Sequence, residues 1–92
     1  MAKSVVLFGP QGSGKSLNAD GLMKAYGLKE SFDLDDPWFP RGRDLRRRLD
    51  AGLLVLSCDI EDSREFARRH DALLITVATA RLLVGAAWRD PR

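Results

Sequence analysis

The chain reads as an α/β protein, a small three-layer domain with a mainly parallel sheet of about four strands. Three features predict this. Four short apolar runs alternate with segments of helical spacing. The clearest runs are apolar throughout rather than alternating with polar residues, as in strands covered on both faces. The first run passes straight into a glycine-rich loop and then a helical pattern, the order expected of a parallel unit.

Ser4 to Phe8 is the first strand, rich in valine and leucine and ended by glycine. A helix follows the glycine loop, starting near Lys15. Ala19, Leu22, Met23 and Tyr26 recur at its period and mark the buried face. Gly27 stands where a left-handed helix cap belongs. Gly21 lies mid-helix at a cost of about 1 kcal/mol against alanine, which close packing on the sheet would explain. Ser31 to Leu34 makes the second strand. Pro37 and Pro40 then stiffen a loop around Trp38 and Phe39.

Asp44 to Ala51 forms a short helix with Leu45 and Leu49 on one face, closed by Gly52. Leu53 to Ser57 is the third strand. Asp62 and Glu65 have the spacing of a capping box opening the next helix, through Phe66 and Ala67. Ala72 to Val77 is the fourth strand. The tail reads two ways. Ala80, Leu83, Val84, Ala87 and Trp88 suit a helical face, the preferred reading, while Leu82 to Val84 suit a last strand.

With 92 residues, the chain is expected to form one domain spanning residues 1–92, with a thin core. Its 45% hydrophobic and 30% charged residues are those of an ordinary globular protein. There is no signal-peptide pattern and no apolar stretch of membrane-spanning length. Cys58 has no second cysteine to pair with, which points to a reducing compartment and a cytoplasmic location. A net charge of +2 does not by itself argue for nucleic acid. The distribution is more pointed. Asp33, Asp35 and Asp36 are followed at once by Arg41, Arg43, Arg46, Arg47 and Arg48.

The strongest chemical signal is Gly9-Pro10-Gln11-Gly12-Ser13-Gly14-Lys15-Ser16, a full match to G-x-x-x-x-G-K-[ST] between a strand and a helix. Glycines 9, 12 and 14 permit backbone angles that a side chain would forbid, so N–H groups can point inward at phosphate oxygens. The helix that follows adds the positive end of its dipole. The Lys15 ammonium reaches β- and γ-phosphates, and the Ser16 hydroxyl suits Mg²⁺, which prefers oxygen ligands.

On these residues the chain resembles the P-loop NTPase superfamily, and within it the small nucleotide and metabolite kinases. The resemblance runs from the first strand to about residue 36. It implies an ATP or GTP site formed by Gly9 to Ser16 and the adjoining Leu17, with Mg²⁺ as cofactor. Shikimate and gluconate kinase-like proteins carry an Asp-x-Asp after the second strand that meets metal or the acceptor hydroxyl. Carried over by position, Asp33 and Asp35 take that place here, and Asp33 alternatively orients the attacking hydroxyl or water as a base. The plainer reading is a solvated turn before Pro37.

Enzymes of this superfamily also hold Mg²⁺ through an acid ending an apolar strand. Asp59 is the best candidate, although Ser57 and Cys58 intervene. Asp35 or Asp36 is a second choice. In a third, Ser57 contacts the γ-phosphate or water.

The arginines of 41–48, and Arg68, Arg69 and Arg81, are candidates to offset charge on a transferred phosphoryl group. A solvated helix face is the simpler account. With Trp38 or Phe39 to stack on a base, the same basic segment would suit nucleic acid, though both aromatics read better as core or lid anchors. His70 reads as a helix-end residue, Cys58 as buried and structural, and Trp88 as packing the tail.

The expected function is therefore Mg-dependent binding of a nucleoside triphosphate, with kinase-like phosphoryl transfer or slow hydrolysis. Lys15 and Asp33 would be catalytic, and Ser16, Asp35 and Asp59 would share the metal. Two alternatives are a nucleotide-binding switch or assembly module acting with a protein partner or as a homo-oligomer, and a nucleic-acid-associated ATPase. Related kinases are nearly twice as long and carry an arginine-rich lid for which this chain has no comparable insertion.

Overall fold

The structure, a computed structural model, describes residues 3–89. Eight elements alternate along the chain: β1 (Val5–Phe8), α1 (Ala19–Tyr26), β2 (Glu30–Asp33), α2 (Gly42–Ala51), β3 (Leu53–Ser57), α3 (Ile60–His70), β4 (Leu73–Thr76) and α4 (Val77–Val84). A 3₁₀ turn, Gly85–Ala87, follows. The strands form one parallel sheet in the order β2-β3-β1-β4. The fold is thus the α/β three-layer arrangement that the apolar runs predict.

Strand periodicity divides the core in two. Val5, Leu7, Leu54, Leu56 and Ile75 face one way, against Ala19 and Leu22 of α1 and Ala80 of α4. Val6, Leu53 and Val55 face the other way, against Phe66 and Ala67 of α3 and Leu45 and Leu49 of α2. Both faces of β1 and β3 are therefore covered, which is why their runs are apolar without interruption. The Ser4 hydroxyl ties the layers together at the amino edge. It donates to the Leu49 carbonyl at 2.8 Å and accepts from the Leu53 N–H at 2.9 Å.

The connections after β1 and β3 leave the sheet on opposite faces, since α1 lies on one and α3 on the other. Adjacent strands that part in this way open a crevice at their carboxyl ends, where ligands of such sheets bind.

Several local expectations hold. Gly27 caps α1 with φ 69°, and Gly52 closes α2. The tail is helical to Val84, with Ala80, Val84 and Trp88 packed on the α1 side of the core, whereas Leu83 and Ala87 of the expected face are exposed. Others shift. Regular helix α1 begins at Ala19 rather than near Lys15, because residues 15–18 are still in turns. β4 ends at Thr76, whose hydroxyl accepts from the Thr79 N–H at 3.3 Å and starts α4 at Val77.

The Asp62–Glu65 box is not formed. Asp59 caps α3 instead, its carboxylate accepting from the Asp62 N–H at 2.9 Å. Glu65 turns outward to Arg68 and Arg69. Gly21 is not pressed on the sheet either. A β-carbon there would meet only Val84 of α4, at 3.8 Å, an ordinary contact.

Candidate functional site

The glycine loop leaves the end of β1, between the ends of β3 and β4. Its first N–H, of Gly9, donates to the Ser57 carbonyl at 3.0 Å and pins the loop to the end of β3. The Ser13 N–H and hydroxyl both donate to the Pro10 carbonyl, at 3.2 and 2.6 Å, and draw the loop into a tight turn. Gly12 and Gly14 hold φ of 78° and 90°, angles that other residues rarely adopt. Gly9 is glycine for a different reason, since its φ is not positive. A β-carbon there would lie 2.3 Å from Val77 Cγ2 and 2.9 Å from Ser13 Oγ. The start of α4 is packed directly against the loop.

Lys15 is buried, at 8% exposure, with its ammonium turned into the loop. Nζ donates to the Gly9 carbonyl at 2.5 Å and the Pro10 carbonyl at 2.9 Å, and lies 3.5 Å from Cys58 Sγ. These carbonyls offset the desolvation of the charge. The contact also corrects the sequence reading of Cys58. The thiol is exposed at the mouth of the crevice, because Cys58 lies just beyond the last paired residue of β3.

Loop and acidic cluster meet. A cleft of about 400 Å³ is lined by Gly12, Gly14, Lys15 and Ser16 on one side and by Asp33 and Asp35 on the other. Gln11, Leu17, Leu56 and Cys58 complete its lining. A neighbouring depression joins Ser16 to Asp33 and Asp36. Asp59 does not line the main cleft. It shares a smaller hollow with Asp35 and Cys58, and its carboxylate is engaged in capping α3. Of the expected metal set, Ser16 and Asp35 thus share one cleft and Asp59 stands aside from it.

Among the described residues, no three of histidine, cysteine, aspartate and glutamate gather closely enough to hold a cation by themselves. The donors that are present, one hydroxyl and nearby carboxylates, fit Mg²⁺, which keeps several waters and takes phosphate oxygens as ligands.

The arginines lie elsewhere. Arg47 and Arg48 pair with Asp44, and Arg48 also reaches Glu30 at 2.5 Å. The Arg48 hydrogen bond, with help from Arg47, holds the Asp44 carboxyl below its ordinary range. Arg43, Arg46 and Arg69 line a separate groove between α2 and α3, of about 740 Å³, which shares no residue with the cleft. His70 lines the same groove, its ring 4.5 Å from that of Phe66. Burial, then Arg69 and Arg46, lower its pKa from the usual histidine value. Trp38 is 85% exposed and is no core anchor, whereas Phe39 packs edge-on between Phe32 and Phe66.

No protein family, curated protein or solved structure matches the chain.

Two site features escaped the sequence reading. Val77 as the backing of Gly9 depends on β4 lying beside β1, which no local pattern reveals. Asn18 is the other. It is 4% exposed, and its side chain links Gly14 to Arg89. Its place two residues after Ser16 was the only available hint. Among the described residues no helix is long and apolar enough to cross a membrane.

Proposed function

We propose that the chain binds a magnesium nucleoside triphosphate, ATP or GTP, in the cleft between the glycine loop and Asp33 and Asp35. One observation carries this reading. The full phosphate-loop motif lies at the carboxyl end of a central parallel strand, with its lysine turned inward and Ser16 facing two carboxylates across one cleft.

The physical roles follow. Backbone N–H groups of the loop take up phosphate oxygens. Lys15 exchanges its carbonyl partners for the β- and γ-phosphates. Ser16 and Asp35, which line one cleft, would hold Mg²⁺ directly or through water, and the ion would supply positive charge against the phosphates. Asp33 faces the same space and can orient an acceptor hydroxyl or water, which makes phosphoryl transfer or slow hydrolysis the reaction class.

A second reading, a nucleotide-dependent switch without turnover, is favoured by the engagement of Asp59 in capping α3.

Calorimetric titration of Mg-ATP and Mg-GTP into the wild type and Lys15→Ala tests the proposal. Binding should weaken at least about tenfold in the variant, from loss of charge-assisted hydrogen bonds. A folded wild type that takes up neither nucleotide ends it. Asp33→Asn separates the two readings: transfer predicts that binding persists while turnover falls, and a switch predicts no turnover to lose.

A further inference from the structure

The side chain of Asn18 joins two parts of the chain that are far apart in sequence. Its Nδ2 donates to the Gly14 carbonyl and to the Arg89 carbonyl, each at 2.8 Å. Its Oδ1 accepts from the Arg89 N–H at 2.7 Å. Both amide hydrogens and the oxygen are used, and two carbonyls facing one end and an N–H facing the other fix which end is nitrogen. At 4% exposure this is a buried and satisfied polar group, so removing the amide takes this partner from the part-buried Arg89 carbonyl and N–H and one of two hydrogen bonds from the Gly14 carbonyl.

Gly14 is the informative partner. Its carbonyl and the Lys15 N–H belong to one planar trans peptide and point in opposite directions. Whatever holds the carbonyl therefore aims the N–H. Asn18 holds it twice, through its side chain and through its own main-chain N–H at 3.1 Å. With no β-carbon at Gly14, side-chain sterics restrict this peptide less than they would at any other residue. At its other end the same amide grips Arg89, next to Trp88, which packs on the α1 side of the core.

We infer that Asn18 is a positioning residue that couples docking of the tail at Trp88 and Arg89 to the anion-binding form of the glycine loop. The inference rests on the proposed nucleotide site. The docked tail holds the Asn18 amide in place, the amide fixes the Gly14–Lys15 peptide, and that peptide presents its N–H to a phosphate. Linkage then runs both ways. If the docked tail tightens nucleotide binding, nucleotide tightens tail docking by the same factor.

The test uses the full chain, Asn18→Ala and Trp88→Ala, with Mg-ATP as the probe. Calorimetry gives affinity, and amide exchange followed by NMR reports on the tail. In the wild type, Mg-ATP should slow exchange at the Arg89 amide by roughly the factor that Trp88→Ala loses in affinity, about tenfold if one or two hydrogen bonds are at stake. In Asn18→Ala, affinity should fall by a similar factor and the nucleotide effect on Arg89 should vanish. A purely structural asparagine would lower the melting temperature yet leave affinity and the Arg89 response unchanged, and that result overturns the inference.

A wild type that fails to bind Mg-ATP defeats the nucleotide reading separately. Coupling is then read without ligand. Trp88→Ala must speed exchange of the Asn18 main-chain amide while sparing Leu54 in β3, and equal rates at Asn18 refute it.

Discussion

The α1–α4 face of the sheet and helix α2 on the opposite face are held by different forces, while α3 packs beside α2 through buried Phe66 and Ala67. On the α1 and α4 face, contact is close and largely apolar. Leu22 and Ala80 are fully buried there, Val77 touches the glycine loop, and Trp88 covers the end. On the other face α2 has no fully buried residue. It rests on half-buried Leu45 and Leu49 and on the Arg48 pairs to Asp44 and Glu30, with the Arg48 guanidinium 5.3 Å above the Phe32 ring. Surface pairs of this kind add little stability and are screened by salt. The candidate site leans on the apolar face, whose steep, short-range contacts set loop geometry more finely than charges in water can.

Gly9→Ala breaks that arrangement most severely. The added methyl overlaps Val77, a stiff β-branched side chain, and should cost about 1–3 kcal/mol as overpacking does. Loop geometry, and with it the nucleotide binding proposed for the cleft, should suffer too. Val77→Ala in the same chain opens the space, so denaturant titration should find the double variant more stable than Gly9→Ala alone. No recovery would mean that the loop is constrained by something other than α4.

Gly21→Ala probes the same face where it has room. Helix propensity should raise stability by up to about 1 kcal/mol, since the new β-carbon meets only Val84 at contact distance. In a chain of this size the gain should lift the melting temperature by several degrees, roughly 4–8 °C per kcal/mol. A fall would place Gly21 in a tighter contact than the packing described.

The smallest effect belongs to the charged face. His70 takes a proton less readily when folded, because of burial and then Arg69 and Arg46. Across the window just below its ordinary pKa of 6.5, the unfolded chain therefore binds more protons. Stability contributed there is present above that value and declines as pH falls through the window. The fall in melting temperature from pH 7.5 to 5.5 should be larger in the wild type than in His70→Gln. Asp50 and Asp71 line the same groove. Equal differences in the two proteins would remove His70 from the account.

The sheet was legible because burial on both faces leaves a local trace, an unbroken apolar run, in β1 and β3. The glycine loop was legible because its geometry restricts eight consecutive residues. Boundaries were less so. Val77 extends the apolar run of β4, but Thr76 caps a helix there, and the side-chain oxygens of Asp59 and Asp62 compete for the start of α3 with only tertiary context to decide. Pairings distant in sequence were silent. Nothing near Asn18 announces Arg89, and nothing near Gly9 announces Val77. The acidic pair lies between these cases: its distance from Lys15 suggested a shared cleft, while the place of Asp59 depended on how α3 begins.

The order of the strands bears on how the chain matures. β1 leaves the ribosome before β3 and β4, yet it is an interior strand, and Val5 pairs with Leu54 and with Leu73. Neither partner exists when β1 is made. Contacts so far apart close slowly, because loop entropy is lost before they reward it. The glycine loop is thus translated before the elements that shape it, and its folded form arrives only when β3, β4 and the tail have closed around it. Until then the apolar β1 is an unpaired strand exposed to aggregation, and expression at low temperature or with a chaperone should favour recovery of folded protein.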